Sequence, residues 1–160
     1  MLVWRELSVS AEPRGVCVYL SFDVDYDADL GDRLLKQSQR GGSGFHIGSL
    51  SEAGKMTDRW HEGVRRRVRA ADELIVICGE HTATSDRMNA ELRIALEEHK
   101  PYLLLWGRRE RMCSMPIGVK RTACMYSWTG ETLLHLVAQT LRDARPLEVP
   151  ENCKRPVQSS

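Results

Sequence analysis

The sequence lacks a long hydrophobic run, an excess of either charge and a paired-cysteine motif. Lysine and arginine number 23 and aspartate and glutamate number 22, so the net charge is +1, without the basic excess typical of a nucleic-acid binder. No apolar stretch reaches the roughly 20 residues of a membrane-spanning helix. Residues 1–10 carry Arg5 and Glu6, unlike a secretory signal. We therefore expect a cytoplasmic protein that binds neither nucleic acid nor membrane.

The cysteines show no C-x-x-C spacing, and their number is odd: Cys17, Cys78, Cys113, Cys124 and Cys153. Cys17 and Cys78 lie inside apolar, strand-like segments. Such cysteines are typical of buried thiols in a reducing cytoplasm rather than of a disulfide framework or a zinc site. We accordingly expect free thiols and no metal site.

What the sequence does contain is an alternation of short apolar segments with amphipathic ones. Strand-like segments occur at 16–22, 45–47, 74–78, 102–106 and 123–126, and helical patterns separate them. Strands that are apolar on both faces and alternate with helices are typical of a parallel sheet covered on both sides. We predict an α/β protein, a flavodoxin-like three-layer sandwich with about five parallel strands in the order 2-1-3-4-5.

A single domain accounts for most of the 160 residues, a length that can bury one core. We expect this domain to span 15–145, after an N-terminal extension at 1–14. The C-terminal tail at 146–160 contains three prolines and few apolar residues, a composition typical of a mobile terminus.

Four aspartates follow the first strand at alternate positions: Asp23, Asp25, Asp27 and Asp29. They do not fit a calcium-binding loop, because Ala28 stands where that loop needs glycine. Aspartates at the start of a helix cap it and interact favourably with its dipole, which accounts for Asp27 and Asp29. Asp23 directly follows the strand and is not explained in this way.

The segment F-D-V-D at 22–25 also resembles the start of a phosphohydrolase of the haloacid dehalogenase type. In that reaction the first aspartate, here Asp23, attacks phosphorus while Mg²⁺ bridges the carboxylates. The acidic pair that this class carries after a later strand is missing after both 74–78 and 102–106. The phosphohydrolase is therefore the weaker alternative.

Glu91 lies in the predicted helix that follows the third strand, six residues beyond the predicted cap Ser85. It is at the border of an apolar stripe that includes Met88 and Leu92. The start of this helix is at the carboxyl edge of the sheet, so Glu91 can face the crevice between the first and third strands. The alternative is a solvated border position, paired with Arg87 one turn earlier.

Thr57 is the predicted cap of the second predicted helix, and four arginines occupy several faces of this helix: Arg65, Arg66, Arg67 and Arg69. Such a distribution is typical of a solvated surface. Glu62 is spaced to pair with Arg66 at i,i+4. We therefore predict that these arginines face solvent.

Four segments, in this order, resemble the TIR-like family found in bacterial Thoeris anti-phage systems. They are V-Y-L-S-F-D at 18–23, F-H-I-G-S-L-S-E-A-G-K at 45–55, A-A-D-E-L-I-V-I-C-G-E-H-T at 70–82 and S-D-R-M-N-A-E-L-R-I-A at 85–95. A fifth segment, Y-S-W-T-G-E-T-L at 126–133, resembles the turn before the family's last helix. The resemblance implies a TIR fold and, often, cleavage of the N-glycosidic bond of NAD⁺, with NAD⁺ as substrate and no cofactor.

The resemblance also implies the residues of the site. The family's catalytic glutamate corresponds to Glu91, and the segment at 45–55 corresponds to the BB loop that closes over the substrate. Arg87 stands where the family usually has an aromatic residue. The implied substrate-binding residues are Ser21, Phe22, Asp23, Ile47, Gly48, Arg87 and Met88.

The chemistry implied by the resemblance needs one ionised carboxylate. Loss of nicotinamide leaves positive charge on the ribose, as in glycoside hydrolysis, and a carboxylate stabilises that charge. We expect a cyclic ADP-ribose-type signal that activates a separate effector in phage defence, and a chain that associates with itself. The competing hypothesis is a non-catalytic module that assembles through the BB loop and 107–120.

Overall fold

The computed structural model describes residues 15–143, which form one sheet covered by helices. The strands are β1 (Val16–Ser21), β2 (Phe45–Leu50), β3 (Glu73–Cys78), β4 (Tyr102–Trp106) and β5 (Met125–Tyr126). The α-helices are α1 (Ala28–Ser38), α2 (Asp58–Ala70), α3 (Asp86–Glu97) and α4 (Gly130–Asp143), and a 3-10 helix, Thr82–Thr84, precedes α3. The predicted extension at 1–14 and tail at 146–160 lie outside the described residues.

The sheet has five parallel strands in the order β2-β1-β3-β4-β5. This confirms the predicted α/β class and strand order. The central strand, β3, is buried at all six positions, as its continuous apolar run predicts for a strand covered on both faces. Because the sheet is parallel, the carboxyl ends of β1 and β3 meet at one edge, where the loops that follow them converge.

Alternate residues of each strand face opposite layers, because the side chains of a strand have a period of two. On one face, Tyr19 packs in a core with residues of α2 and α3, including Val64 and Leu92. On the other face, Val18 and Leu20 pack with residues of α1 and α4. Tyr19 and Ser21, two residues apart in β1, therefore point towards α3, the helix that carries Glu91.

The predicted helix caps have different outcomes. Thr57 accepts a hydrogen bond from Trp60 N at 3.2 Å and Ser85 accepts one from Met88 N at 3.3 Å, so both predicted caps are confirmed. Asp27 precedes α1, but its side chain makes no capping hydrogen bond. The prediction that Asp27 caps this helix is wrong, because its carboxylate bonds to Arg108 instead.

The cysteines also depart in part from the prediction. Cys17, Cys78 and Cys113 are free thiols. Cys124 is disulfide-bonded, so the expectation of thiols is wrong at that position. No helix within residues 15–143 is long and apolar enough to cross a bilayer.

Candidate functional site

Glu91 is buried at the carboxyl edge of the sheet, with only 1% of its surface exposed. Three hydroxyl groups donate hydrogen bonds to its carboxylate. Tyr19 Oη donates to Oε2, Ser21 Oγ lies 3.0 Å from Oε1, and Ser51 Oγ lies 2.9 Å from each oxygen. The alternative of a solvated border position is therefore wrong.

Local structure explains why these hydroxyls converge. Tyr19 and Ser21 are two residues apart in β1 and so face the same layer, which contains α3. Ser51 directly follows β2, and its backbone N donates to Leu20 O at 2.9 Å. Ser51 Oγ in addition accepts a hydrogen bond from Phe22 N at 3.1 Å. The carboxylate is thus held by two adjacent strands at the edge where both end.

The surroundings of Glu91 shift its protonation equilibrium. Burial raises the pKa of Glu91 to about 7, while hydrogen bonds from the three hydroxyls and the charge of Arg67 act in the opposite direction. Burial and the Glu91 charge raise the pKa of Tyr19 well above its ordinary value. Tyr19 therefore remains a protonated donor, and Glu91 can occupy either protonation state near neutral pH.

A cavity of about 610 Å³ lies beside Glu91, between the turn after β1, the start of α3 and the β2–α2 loop (51–57). Phe22, Asp23, Lys55 and Arg87 are among its lining residues, but Glu91 is not. Arg87 donates from both Nε and Nη2 to the carbonyl of Gly54, which fastens the loop to α3. Neither the Glu91 carboxylate nor any of its three hydroxyl partners is therefore exposed to this cavity.

Phe22 and Asp23 line the cavity, as the resemblance implies for substrate contacts, but both also have structural partners. The Phe22 ring packs on Gly31 so closely that a Cβ there would come within 2.8 Å of it. Asp23 Oδ1 accepts hydrogen bonds from the backbone N of Asp25 at 2.9 Å and of Tyr26 at 3.3 Å. Its position after the strand is explained by this turn, which does not favour a nucleophilic role.

Three other predicted contacts lie away from the cavity. Ile47 and Gly48 belong to β2 and not to the loop that follows it, so the BB loop assigned to 45–55 begins later than expected. A Cβ at Gly48 would approach Cys17 Sγ to 2.7 Å, so a larger residue here would require the Cys17 side chain to move. Met88 is buried in the core between the sheet and α2 and α3.

Two other aspartates of the row, Asp27 and Asp29, bind an arginine that follows β4. Arg108 Nη2 lies 3.2 Å from Asp27 Oδ1 and 2.8 Å from Asp29 Oδ1. Burial raises the pKa of Asp27, whereas the hydrogen bond from Arg108 lowers that of Asp29. Among residues 15–143, no group of three or more histidines, cysteines or acids could hold a metal ion. The row of carboxylates thus serves a turn and an ion pair.

Sequence reasoning missed Tyr19 and Ser51 as partners of the candidate site. The alternation of β1 could have indicated Tyr19, because a hydroxyl two residues before Ser21 must face the same helix. Nothing local indicates Ser51, since its contact with Glu91 spans 40 residues of sequence.

The chain is similar to a known protein family and to solved structures. Residues 19–110 match the family described as "Thoeris protein ThsB, TIR-like domain". Among solved structures, the chain is similar to a prokaryotic SEFIR domain, at 17% identity and a TM-score of 0.47, over 90% of this chain and 99% of that one. No curated protein sequence matches the chain. Since the family match covers more than half of the sequence and includes Glu91, the protein belongs to the TIR-like domain family of the Thoeris protein ThsB.

Proposed function

We propose that this protein acts in anti-phage defence by cleaving the bond between ribose and nicotinamide in NAD⁺, with Glu91 as the catalytic residue. The observation that carries the proposal is the buried Glu91 carboxylate at the end of β1, bonded by three hydroxyl groups. A ribose presents hydroxyls of the same donor type. A substrate could therefore replace one of these partners without leaving the carboxylate unsatisfied.

The reaction requires charge stabilisation rather than proton transfer to the leaving group. Nicotinamide departs as a neutral ring and takes the electrons of the glycosidic bond, which leaves oxocarbenium character on the ribose. An ionised Glu91 beside the ribose stabilises that charge. Attack by water then gives ADP-ribose and a proton, whereas attack by a nucleophile of the same nucleotide gives a cyclic product and a proton.

The neighbouring cavity supports the choice of a nucleotide substrate. Its volume of about 610 Å³ is within the ordinary range of small-molecule sites. Lys55 and Arg87 supply cations for a diphosphate, and Phe22 supplies an aromatic ring at the wall nearest β1. In this proposal the β2–α2 loop moves, because Glu91 does not line the cavity and Ser51, at the start of this loop, is bonded to its carboxylate. We take the described conformation to be the resting state.

The proposal extends to partners as the family resemblance implies. The ADP-ribose-derived product is the diffusible signal, and a separate effector protein responds to it. Self-association of the chain is the step that would convert the resting conformation into the open one.

The test is release of nicotinamide from NAD⁺, measured by chromatography. Wild-type protein, by itself or after addition of lysate from phage-infected cells, should release nicotinamide. The release rate of Glu91→Gln should be lower by at least about 100-fold. Glu62→Gln, an exposed glutamate on α2, is the matched control and should retain wild-type activity. If wild type and Glu91→Gln release equal amounts under both conditions, the proposal is wrong.

A non-catalytic assembly module is the second candidate, and one observation favours it. Met112 and Ile117 are 81% and 70% exposed in the segment between β4 and β5. In this candidate the two side chains would belong to one apolar contact surface, as larger exposed apolar patches do. If this candidate is correct, Met112→Ser with Ile117→Ser should abolish self-association in sedimentation experiments while wild type releases no nicotinamide.

A further inference from the structure

A second and larger cavity lies between α1, the segment that follows β4 and the start of α4. Its volume is about 1050 Å³, close to the upper limit of the usual range for small-molecule sites. Phe22, Lys55 and Arg87 line the cavity beside Glu91 but not this one. Tyr26 and His81 line both, and their rings are stacked with centroids 3.7 Å apart. The two cavities are therefore neighbours that share one wall.

Five arginines line the larger cavity, and we refer to it as the arginine cavity. Two of the five are occupied by acids, since Arg108 binds Asp27 and Asp29 and Arg111 Nη1 lies 3.0 Å from Glu80 Oε1. Within residues 15–143, no ion pair or side-chain hydrogen bond involves the other three, which are Arg33, Arg40 and Arg109. Three guanidinium groups are thus available to an anion.

The arginines of α2 differ from these three. Arg65 and Arg69 form ion pairs with Glu98 on α3, each at 2.8 Å. The side chains of Arg65 and Arg67 are only 35% and 25% exposed, because α2 packs against both α3 and β1. The prediction that all four arginines face solvent is therefore wrong for these two. Arg66 is exposed and does not line the arginine cavity, so it serves below as a matched control.

The free cations of the arginine cavity come from more than one element. Arg33 and Arg40 are seven residues apart in α1, so their side chains leave the helix in nearly the same direction about 10 Å apart. Arg109 belongs to the segment after β4. Gly130, the first residue of α4, also lines the cavity, and the first N–H groups of a helix have no partner in that helix and attract anions. Donors from three elements therefore meet at one volume, as the binding of phosphate groups requires.

Aromatic rings supply a second kind of contact in this cavity. Trp106 is the last residue of β4 and Trp128 follows β5, and both lining residues are partly buried. Trp106 Nε1 donates to the carbonyl of Arg108 at 2.6 Å, which restricts the orientation of its ring. Tyr26, in the shared wall, is 60% exposed. Aromatic faces bind nucleobases by stacking, so the cavity combines the contacts that a phosphate and a base each need.

We propose that the arginine cavity is a second ligand site that binds a nucleotide. The free arginines and the first N–H groups of α4 bind its phosphates, and a tryptophan ring stacks on its base. A phosphate ion alone would leave the tryptophans unused, and the net charge of +1 for the chain disfavours an extended nucleic acid. This site is distinct from the cavity beside Glu91, and its occupation does not depend on the proposed function.

The first experiment measures the binding of ADP by isothermal titration calorimetry at low salt, where charge interactions are strongest. ADP contains no nicotinamide, so the proposed reaction cannot consume it. Arg33→Met and Arg109→Met should each weaken binding by about tenfold, because each removes a charge-assisted contact. Arg66→Met and Lys55→Met remove the same charge elsewhere and should keep wild-type affinity.

Three results of this titration would overturn the proposal. The first is that wild-type protein does not bind ADP. The second is that neither Arg33→Met nor Arg109→Met changes the affinity. The third is a loss confined to Lys55→Met, which would place ADP in the cavity beside Glu91. Both arginines are exposed and without partners, so we expect their variants to be folded, and thermal unfolding checks this.

The second experiment separates the phosphates from the base. Adenosine should bind at least about tenfold more weakly than ADP. Pyrophosphate should bind without changing tryptophan fluorescence, whereas ADP should quench it. Trp128→Leu should weaken the binding of ADP but not of pyrophosphate. Equal affinity for ADP and pyrophosphate in wild type, without quenching by ADP, would mean that the site binds phosphate alone, and this comparison decides even if Trp128→Leu is not folded.

Two further outcomes distinguish this proposal from its alternatives. Tighter binding of a single-stranded oligonucleotide than of ADP, lost in Arg33→Met, would identify a nucleic-acid surface and overturn the nucleotide site. Nicotinamide release is measured separately from ADP binding. ADP binding without any release would contradict the proposed function alone, and release without ADP binding would contradict this proposal alone.

Discussion

Glu91 and Glu73 are both buried glutamates, but they lie at opposite ends of the sheet and in different surroundings. Glu91, on α3 at the carboxyl edge, receives hydrogen bonds from three hydroxyl groups. Glu73 is the first residue of β3, has no exposed surface, and neither of its carboxylate oxygens has a partner. Burial raises the pKa of Glu73 to about 8, with a smaller contribution from the charge of Asp72.

The comparison of Glu91 with Glu73 separates the effect of burial on a carboxyl group from the effect of hydrogen-bond donors that are already oriented towards it. Burial alone favours the neutral acid, as at Glu73, whereas oriented donors offset part of that penalty for the carboxylate of Glu91. Donors that are fixed before the reaction are what electrostatic catalysis requires. Four predictions test this difference, from the largest expected effect to the smallest.

Shortening each acid by one methylene should reduce activity at Glu91 but not at Glu73. Glu91→Asp withdraws the carboxylate from its donors, so we expect nicotinamide release to fall by about 100-fold. Glu73→Asp should retain release within about twofold, because Glu73 is remote from the cavity. Equal losses in the two variants, with both folded, would show that the distinction between them is mistaken. The measurement is initial rate at saturating NAD⁺.

Replacing Glu73 by methionine should stabilise the protein, most of all in alkaline solution. The folded pKa of about 8 exceeds the value of about 4.5 in the unfolded chain, so the folded state binds more protons between these values. Stability therefore falls as pH rises from about 4.5 to 8, by at most about 1.4 kcal/mol per pH unit.

We expect Glu73→Met to remove this part of the pH dependence and to gain about 3 kcal/mol at pH 8. Urea unfolding at pH 5 and pH 8 measures both quantities. Some pH dependence of the free energy of unfolding should remain, because the pKa of Glu91 is also raised. A gain that is the same at both pH values would mean that Glu73 does not titrate in this range.

Removing a donor should make Glu91 behave more like Glu73. Ser51→Ala deletes the hydroxyl that lies 2.9 Å from both carboxylate oxygens, and we expect a loss of about 2 kcal/mol at pH 8. The loss should be smaller at pH 5, where the carboxyl is protonated. Ser49→Ala, in β2 without a side-chain hydrogen bond, is the control. Chemical denaturation of both variants checks the expectation.

Adding a donor should make Glu73 behave more like Glu91. The parallel register places Val18 of β1 opposite Glu73, so a hydroxyl at 18 would face the carboxylate. We expect Val18→Thr to lower the pKa of Glu73 and to flatten the fall in stability towards pH 8 by about 0.5–1 kcal/mol. Val18→Ala, which supplies no hydroxyl, should leave the slope unchanged. An NMR titration of the ¹³C-labelled glutamate carboxyl carbons reports the pKa.

The fold was accessible from sequence because periodicity and chain order determine it. The apolar run of β3 indicated a central strand, and the alternation with helices indicated a parallel sheet whose order follows from the family of such folds. The starts of α2 and α3 followed from Thr57 and Ser85, whose hydroxyls cap locally. The length of β2 could not be predicted from the sequence, because Gly48 and Ser49 interrupt its apolar pattern.

The candidate site was only partly accessible, for a different reason. The position of Glu91 on the border of its stripe placed it near the sheet edge, but could not decide whether it was solvated. That decision depends on Tyr19 and Ser51, which approach Glu91 across 72 and 40 residues. Asp27 shows the same limit, because a distant guanidinium replaces the local capping contact that its position favours.

The hydrogen bonds from Arg87 to the Gly54 carbonyl hold the β2–α2 loop against α3, and in the proposed reaction they have a consequence for the rate. If these hydrogen bonds must break before NAD⁺ can bind, loop opening limits the turnover rate, and the rate of bond cleavage does not. Dinucleotides whose pyridines differ in basicity would then be consumed at one common rate.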